Sequence, residues 1–384
     1  MKILKRLGWG LVGLLVLLNI LILISGNTHL YKGIANTYLK GRSGPDINEF
    51  PIFSNRTVQA GQYQPIPNSS QYNKTQIDTK SIESYSSVAY LVIRNDSVCF
   101  EHYWDGYGPD SLSNSFSMAK SFVGALIGCA LQDGFIKSLD QPVTDFLPTF
   151  SAGNGHLLTI RHLLTMSSGI NFDENYVSPF AYPAIAYYGN DITSLTLRYT
   201  LTEQPGKVFK YLSGNTELLG LILEKATGKK LSEYMSQRLW MPLGAKKSAK
   251  WSLDHENGME KAYCCFNSNA RDFARLGLLY LHGGNWKGKQ LIPEDYIRSS
   301  IVPAPLVEEN GKPNKSYGYQ WWIIQYNGKN YPCCRGILGQ YIILIPEKNM
   351  VVVRLGHRRS TERRDGNPVD IFLYLSTALD HFSL

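Results

Sequence analysis

Ser117, Met118, Ala119 and Lys120 form the only Ser-x-x-Lys in the chain, where the polar run Ser111 to Ser115 gives way to helical spacing. On a helix, residues three apart share a face with Cβ atoms ~5–6 Å apart, so the Lys120 amine can lie beside the Ser117 hydroxyl. A serine becomes a nucleophile when a neighbouring base takes its proton, but a solvated lysine, with a pKa of ~10.4, is already protonated at neutral pH. The apolar flanks Met118, Ala119, Phe122 and Val123 supply the burial that would lower it. A helix N-terminus adds free N–H groups and a positive dipole end for charge developing at the serine. The chemistry this points to is acyl transfer. By residue type alone, the same four positions also suit a helix cap beside a solvated charge.

Further along, Pro205-Gly-Lys-Val-Phe-Lys-Tyr211-Leu-Ser-Gly-Asn215 precedes helical spacing over Thr216 to Ala226, so Tyr211 sits on a loop that can project it into a cleft. A phenol, with a pKa of ~10, serves as a base only if a cation favours its anion, and Lys120 is the candidate. Lysine and tyrosine would then titrate as a coupled pair. The competing reading is a core tyrosine among 24 in the chain.

Taken with Leu158-Thr-Ile-Arg-His-Leu-Leu-Thr-Met-Ser-Ser-Gly169, Leu218-Leu-Gly220, Trp240-Met-Pro-Leu-Gly244, Ala270-Arg-Asp-Phe-Ala-Arg275 and Gly339-Gln340, these stretches resemble the serine β-lactamase and penicillin-binding-protein superfamily. The likeness is to its class C, esterase and 6-aminohexanoate-dimer hydrolase branch, and covers about residues 80 to 384. It implies a nucleophilic Ser117, a proton-shuttling Lys120, and a Tyr211 acting as general base and later as general acid toward the leaving group. It also implies an oxyanion hole pairing the N–H of Ser117 with one from Gly336 or Ile337, where glycine lets backbone approach the acyl group. A bend or bulge at a strand end is the alternative for that glycine.

The sequence departs from the family pattern at two places. The usual Tyr-x-Asn is Tyr211-Leu-Ser213, with the nearest asparagine at Asn215, so Ser213 is expected to hold a substrate amide or to position Lys120. The Lys/His-Thr-Gly strand would fall on Cys333-Cys334-Arg335, leaving Arg335 alone to replace the cation that binds a β-lactam carboxylate. An efficient β-lactamase is therefore disfavoured relative to an esterase or amidase.

Positioning these residues requires a particular scaffold. Ser87 to Trp104 reads as a hairpin, VAYLVI and VCFEHYW, turning at Asn95-Asp96. Helical spacing follows at Phe122 to Cys129, Ile160 to Met166, Leu218 to Leu223 and Phe273 to Leu281, the last ending at Gly283-Gly284. After Tyr317 the pattern returns to strands, YGYQWWII, YIILIP and MVVVRL, and Val369 to Phe382 reads as a closing helix. The expected class is α+β: an antiparallel sheet built from N- and C-terminal parts, flanked by helices, with a mostly helical insertion and a cleft between.

At the start of the chain, Lys2, Lys5 and Arg6 precede the apolar stretch Leu7 to Ser25. At ~1.5 Å per residue it reaches about 28 Å, near a bilayer's hydrocarbon thickness, and no small-x-small cleavage site follows cleanly. Residues 1–26 read as an uncleaved membrane anchor, with a cleaved signal peptide as the alternative. The basic flank predicts a cytoplasmic N-terminus and an extracytoplasmic catalytic body. Residues 27–78, rich in Asn, Gln, Ser, Pro and Gly, read as a stalk or surface wrap without chemistry, and residues 79–384 as the hydrolase domain.

The 384 residues are 43% hydrophobic and 18% charged, enough for a full core. The net charge of +8 is scattered, clustering only at Lys246 to Lys250 and Arg358 to Arg364, without the aromatic-laced stripe that nucleic acid requires. His102, His156, His162 and His357 show no metal-type pairing, no Gly-x-Ser-x-Gly occurs, and the mechanism calls for no metal or cofactor. Of six cysteines, the doublets Cys264-Cys265 and Cys333-Cys334 would bridge to each other if their strands were neighbours; otherwise they are small core residues. The functional expectation is a two-step hydrolase of a small or peptide-like ester or amide. Alternatives are a membrane-tethered penicillin-binding or sensor protein that acylates without turnover, and a class C-like β-lactamase or D-Ala-D-Ala peptidase.

Overall fold

The run Ser87 to Ile93 is apolar without alternation, as a strand covered on both faces must be. The computed structural model, which describes residues 2–153 and 155–383, shows why. Strands β1 (Ser87–Arg94), β2 (Ser97–Tyr103), β3 (Trp322–Tyr326), β4 (Lys329–Gly336), β5 (Gln340–Ile345) and β6 (Met350–Gly356) form one antiparallel sheet in the order β3-β4-β5-β6-β1-β2. On β1, Ala89, Leu91 and Ile93 point into one core and Tyr90 and Val92 into the other, the two-residue period of a strand.

Seven helices matter to the site: α1 (Lys2–Ile24), α2 (His29–Asn36), α3 (Ala119–Gln132), α4 (Tyr182–Tyr188), α5 (Ser213–Thr227), α6 (Ala270–Leu281) and α7 (Asp370–Phe382). α7 buries Ile371, Tyr374, Leu375 and Ala378 against Tyr90, Ile343 and Val352 on one side of the sheet. α6 covers the other side with Phe273, Leu276 and Leu279. Between β2 and β3 the chain leaves the sheet and builds the helical layer that holds α3, α4 and α5. The expected α+β architecture, its two-ended sheet and its inserted helical part are all present. The hairpin turns where the sequence indicates, with Asn95 at φ 47° and Asp96 at φ 59°, the paired left-handed residues of a tight hairpin.

A second, four-stranded sheet was not anticipated. It orders Asn55–Val58, Ala249–Ser252, Phe266–Ser268 and Ser113–Asn114 side by side. These strands are two to four residues long, too short for a periodic signal, yet they set the register of the site. Ser113 pairs with Ser268 and Asn114 with Asn267, so the approach to Ser117 lies beside the chain leaving Tyr263 to Cys265. The outer strand Asn55–Val58 comes from the region read as stalk or wrap, and it pairs along Ala249–Ser252.

The cysteine doublets do not bridge to each other. Cys264 is bonded to its neighbour Cys265, while Cys333 and Cys334 are buried free thiols. The reason is placement: Cys333 and Cys334 sit on β4, in register with Ile343 and Ile342, with side chains entering opposite cores. Cys264 and Cys265 lie in a turn leading to the other sheet.

Candidate active site

The chain enters Ser117 through a sharp bend. Phe116 has φ 42°, a left-handed value unfavourable for a bulky side chain, and its surroundings hold it there. Its N–H donates to Asn114 Oδ1 at 2.9 Å, and its ring stacks on Tyr187 at 6.3 Å. Ser117 occupies a single 3-10 turn, Phe116–Met118, that runs directly into α3, the helix start that the sequence indicates. The Met118 N–H donates to the Ser115 carbonyl at 3.1 Å and closes this turn around Ser117.

Lys120 Nζ lies 3.1 Å from Ser117 Oγ and donates to the carbonyl of Tyr263 at 2.9 Å. Only 1% of Lys120 is exposed. Burial lowers its pKa to about 7, partly opposed by the carboxylates of Glu174 and Glu217. The apolar flanks thus do what the sequence suggests.

Tyr211 reaches the same serine, its hydroxyl hydrogen-bonded to Ser117. Its ring packs on Trp322 at 4.9 Å and Tyr317 at 5.9 Å. The expected ionic activation of this phenol by Lys120 is not what the geometry provides. The amine sits over the face of the Tyr211 ring, 5.2 Å from its centroid, and burial raises the phenol well above its ordinary value. Lysine and tyrosine are pushed in opposite directions by the same desolvation, each toward its neutral form.

Helix α5 begins at Ser213 rather than Thr216, because its first turn is capped from a distant loop. Glu174 accepts from the Ser213 N–H at 2.7 Å and from Ser213 Oγ at 2.5 Å, and Tyr176 donates to the same carboxylate at 2.7 Å. A Cβ on Gly214 would come within 2.3 Å of the Phe172 ring, so glycine is what lets this loop lie over the helix start. Both polar groups of Ser213 are therefore engaged by Glu174. Asn215 is fully buried, its amide nitrogen 3.6 Å from Met166 Sδ, and it does not line the cavity described below. Of the two expected roles of Ser213, holding a substrate amide or positioning Lys120, its contacts run toward the second, since the Glu174 carboxylate it binds acts on Lys120.

Arg335 lies behind Tyr211. Its guanidinium stacks on Trp322 at 3.5 Å and donates to Asn367 Oδ1 at 2.7 Å, and burial lowers its pKa to about 10. At Gly336 a Cβ would meet the Ser115 carbonyl at 2.4 Å, so only glycine allows β4 this close to the turn that carries Ser117. Ile337, the next residue, lines the same cavity as Ser117.

That cavity has a volume of about 200 Å³. Ser117 and Ile337 lie on its wall with Tyr187, Tyr188 and Tyr263, together with residues from the segment 29–45.

Sequence reasoning missed three residues. Glu174 lies on a loop without periodicity. The Tyr263 carbonyl is a backbone group that residue type cannot reveal. Glu217 carried a readable sign, a carboxylate inside the apolar face of α5; it is fully buried and accepts from the Tyr263 N–H at 3.3 Å, supporting the loop that holds Lys120.

The β-lactamase family model matches residues 79–375. A 6-aminohexanoate-dimer hydrolase of Paenarthrobacter ureafaciens is 29% identical over 317 residues, covering 78% of this chain and 80% of that protein. Among solved structures, a Bacillus anthracis protein described as a 6-aminohexanoate-dimer hydrolase superposes with a TM-score of 0.72 at 23% identity, over 85% of this chain and 90% of that one. A family VIII carboxylesterase superposes with a TM-score of 0.61 at 14% identity, over 83% and 99%. Both superpositions bear on the fold.

Proposed function

The chain belongs to the β-lactamase family, and we propose that it is a serine hydrolase cleaving an ester or amide through an acyl-enzyme on Ser117. The observation that carries this reading is the buried amine of Lys120, 3.1 Å from Ser117 Oγ, with its pKa lowered to about 7. A neutral amine at that distance is a competent base for the hydroxyl proton.

In this mechanism Ser117 Oγ attacks the carbonyl carbon as its proton passes to Lys120. The oxyanion is met by the N–H groups of Ser117 and Ile337, for which the close approach of Gly336 to Ser115 provides the spacing. Collapse breaks the bond to the alcohol or amine. Tyr211, kept neutral by burial, gives that leaving group its proton and is reprotonated by the Lys120 ammonium, which holds the proton taken from Ser117. Water then repeats the sequence on the acyl-enzyme, restoring Ser117 and releasing the acid.

An ester or amide substrate is favoured over a β-lactam by the state of Arg335. Its guanidinium is committed to Trp322 and Asn367 rather than left free for a substrate carboxylate. The 6-aminohexanoate-dimer hydrolase relative points the same way.

In the same reading, Ile3–Ile24 is a membrane anchor and the body that follows is extracytoplasmic. The helix has a mean hydropathy of 2.6 with none of it buried, and the Cys264–Cys265 disulfide suits an oxidising compartment.

The test is hydrolysis of p-nitrophenyl butyrate and the matching anilide by the full chain and by Ser117→Ala. Turnover lost in the variant supports the proposal; equal rates in both refute it.

A further inference from the structure

The wall of the cavity that faces Ser117 comes from the piece of chain immediately after α1. His29, Gly33, Ile34, Thr37 and Tyr38 all line it. α1 ends at Ile24 and α2 begins at His29, so four intervening residues, at most ~3.6 Å each, keep the start of α2 within about 18 Å of the end of the apolar helix. Wherever α1 points, the cavity wall is tethered at that distance from it.

The rim of the cavity is apolar and uncovered. On the α2 side Tyr38 is 69% and Leu39 78% exposed; on the facing loop Val177 is 92% and Phe180 58% exposed. His29 Nε2, 2.8 Å from the Pro179 carbonyl, joins the two sides; Tyr38 and Val177 line the cavity, and Leu39 and Phe180 directly follow the lining residues Tyr38 and Pro179 in the chain. Large apolar side chains gathered at an opening mark a surface that meets an apolar partner. Tyr31 and Tyr38, both exposed just beyond the apolar helix, are the residue type that bilayer–water boundaries favour, and Lys40 beside them suits anionic headgroups.

The interior agrees with the rim. Its walls are mostly tyrosine rings, proline and aliphatic groups. Its volume of about 200 Å³ lies below the ~300–1,000 Å³ of ordinary small-molecule sites, which favours one narrow chain over a bulky ring system.

We propose that the mouth of this cavity rests on the bilayer that holds Ile3–Ile24, and that the substrate is a membrane amphiphile whose hydrocarbon acyl chain fills the cavity, with its ester or amide carbonyl at Ser117. The inference rests on the hydrolase and anchor readings above and specifies what they act on. The membrane is then the substrate reservoir, and α2 with the 176–180 loop forms the entrance.

The experiment uses the full chain reconstituted in phosphatidylethanolamine–phosphatidylglycerol vesicles, with p-nitrophenyl esters running from acetate to decanoate. Wild type is compared with Leu39→Asp/Phe180→Asp, exposed positions that adjoin the lining residues Tyr38 and Pro179 and are not themselves in the cavity lining. Wild-type kcat/KM is expected to climb about fourfold per methylene over the first several carbons, the gain that burying a CH₂ corresponds to. The double variant is expected to match wild type on acetate and to lose about tenfold or more on vesicle-borne decanoate. If it misfolds, Leu39→Asp alone carries the comparison. A wild-type preference for acetate, or an unchanged decanoate rate in the rim variant, overturns the inference while leaving the hydrolase standing. Loss of all ester turnover together with an unlabelled Ser117 overturns the hydrolase and the inference together. Failure of the chain to float with vesicles removes the anchor.

Discussion

Lys120 Nζ stands 3.1 Å from Ser117 Oγ in a site where the lysine is almost wholly buried. In the proposed mechanism the neutral amine is the base, and with its pKa lowered to about 7, kcat/KM is expected to be low in acid, to rise through a midpoint near 7, and to level above it. A pH profile of ester hydrolysis reads this directly. Rates flat from acid to alkali would remove lysine as the base.

Tyr211→Phe deletes the hydroxyl beside Ser117 that, in the proposed mechanism, supplies the leaving-group proton. The expected result is a kcat lower by about 10²–10⁴ with KM nearly unchanged, the contribution of one positioned acid or base. Amides should suffer more than p-nitrophenyl esters, whose leaving group needs no proton. Activity close to wild type on an amide would assign the acid elsewhere.

Glu174 caps α5 through both polar groups of Ser213. Glu174→Ala is expected to lower unfolding stability by about 1 kcal/mol, the usual loss for a missing cap, and Glu174→Gln to restore most of it. Urea denaturation measures both. An alanine variant as stable as wild type would mean that Ser213 finds another partner.

Gly336→Ala places a methyl carbon against the Ser115 carbonyl, where there is no room for it. The strand must shift away from the turn of Ser117, and under the proposed oxyanion hole kcat is expected to fall about 10²–10³, as when one donor is lost. Steady-state kinetics on a single ester suffices to check this, with circular dichroism to confirm the fold.

The Cys264–Cys265 disulfide adjoins Tyr263, whose carbonyl holds Lys120. Thiol titration of the denatured chain should count four free thiols before reduction and six after. Reduction should free the turn and lower kcat/KM about tenfold, since small displacements of a catalytic group are costly. Six thiols without a reductant would contradict the bond.

Much of this was legible in the sequence for physical reasons. The pair Ser117 and Lys120 was readable because helix geometry converts a three-residue spacing into contact, and the apolar neighbours of Lys120 announce its burial. β1 and its hairpin were readable because a strand covered on both faces must be continuously apolar. What stayed hidden depends on long-range placement. Glu174 reaches Ser213 from a loop with no pattern of its own, the Tyr263 carbonyl acts through backbone, and the short strands Ser113–Asn114 and Phe266–Ser268 take their meaning from each other. The cysteine doublets misled because adjacency in sequence says nothing of which sheet each strand joins. Ser213, Asn215 and Arg335 sit near the site as their motif positions imply, yet Glu174, Met166 and Trp322 have already engaged them.

The central claim is that Ser117 is the nucleophile. Intact-mass analysis of the full chain after exposure to a fluorophosphonate tests it most directly, beside Ser117→Ala and Tyr211→Phe. The expected result is a single adduct on wild type that maps to Ser117, is absent from Ser117→Ala and forms more slowly on Tyr211→Phe. A folded wild-type protein that takes no adduct, or one that is labelled equally when Ser117 is alanine, would contradict it.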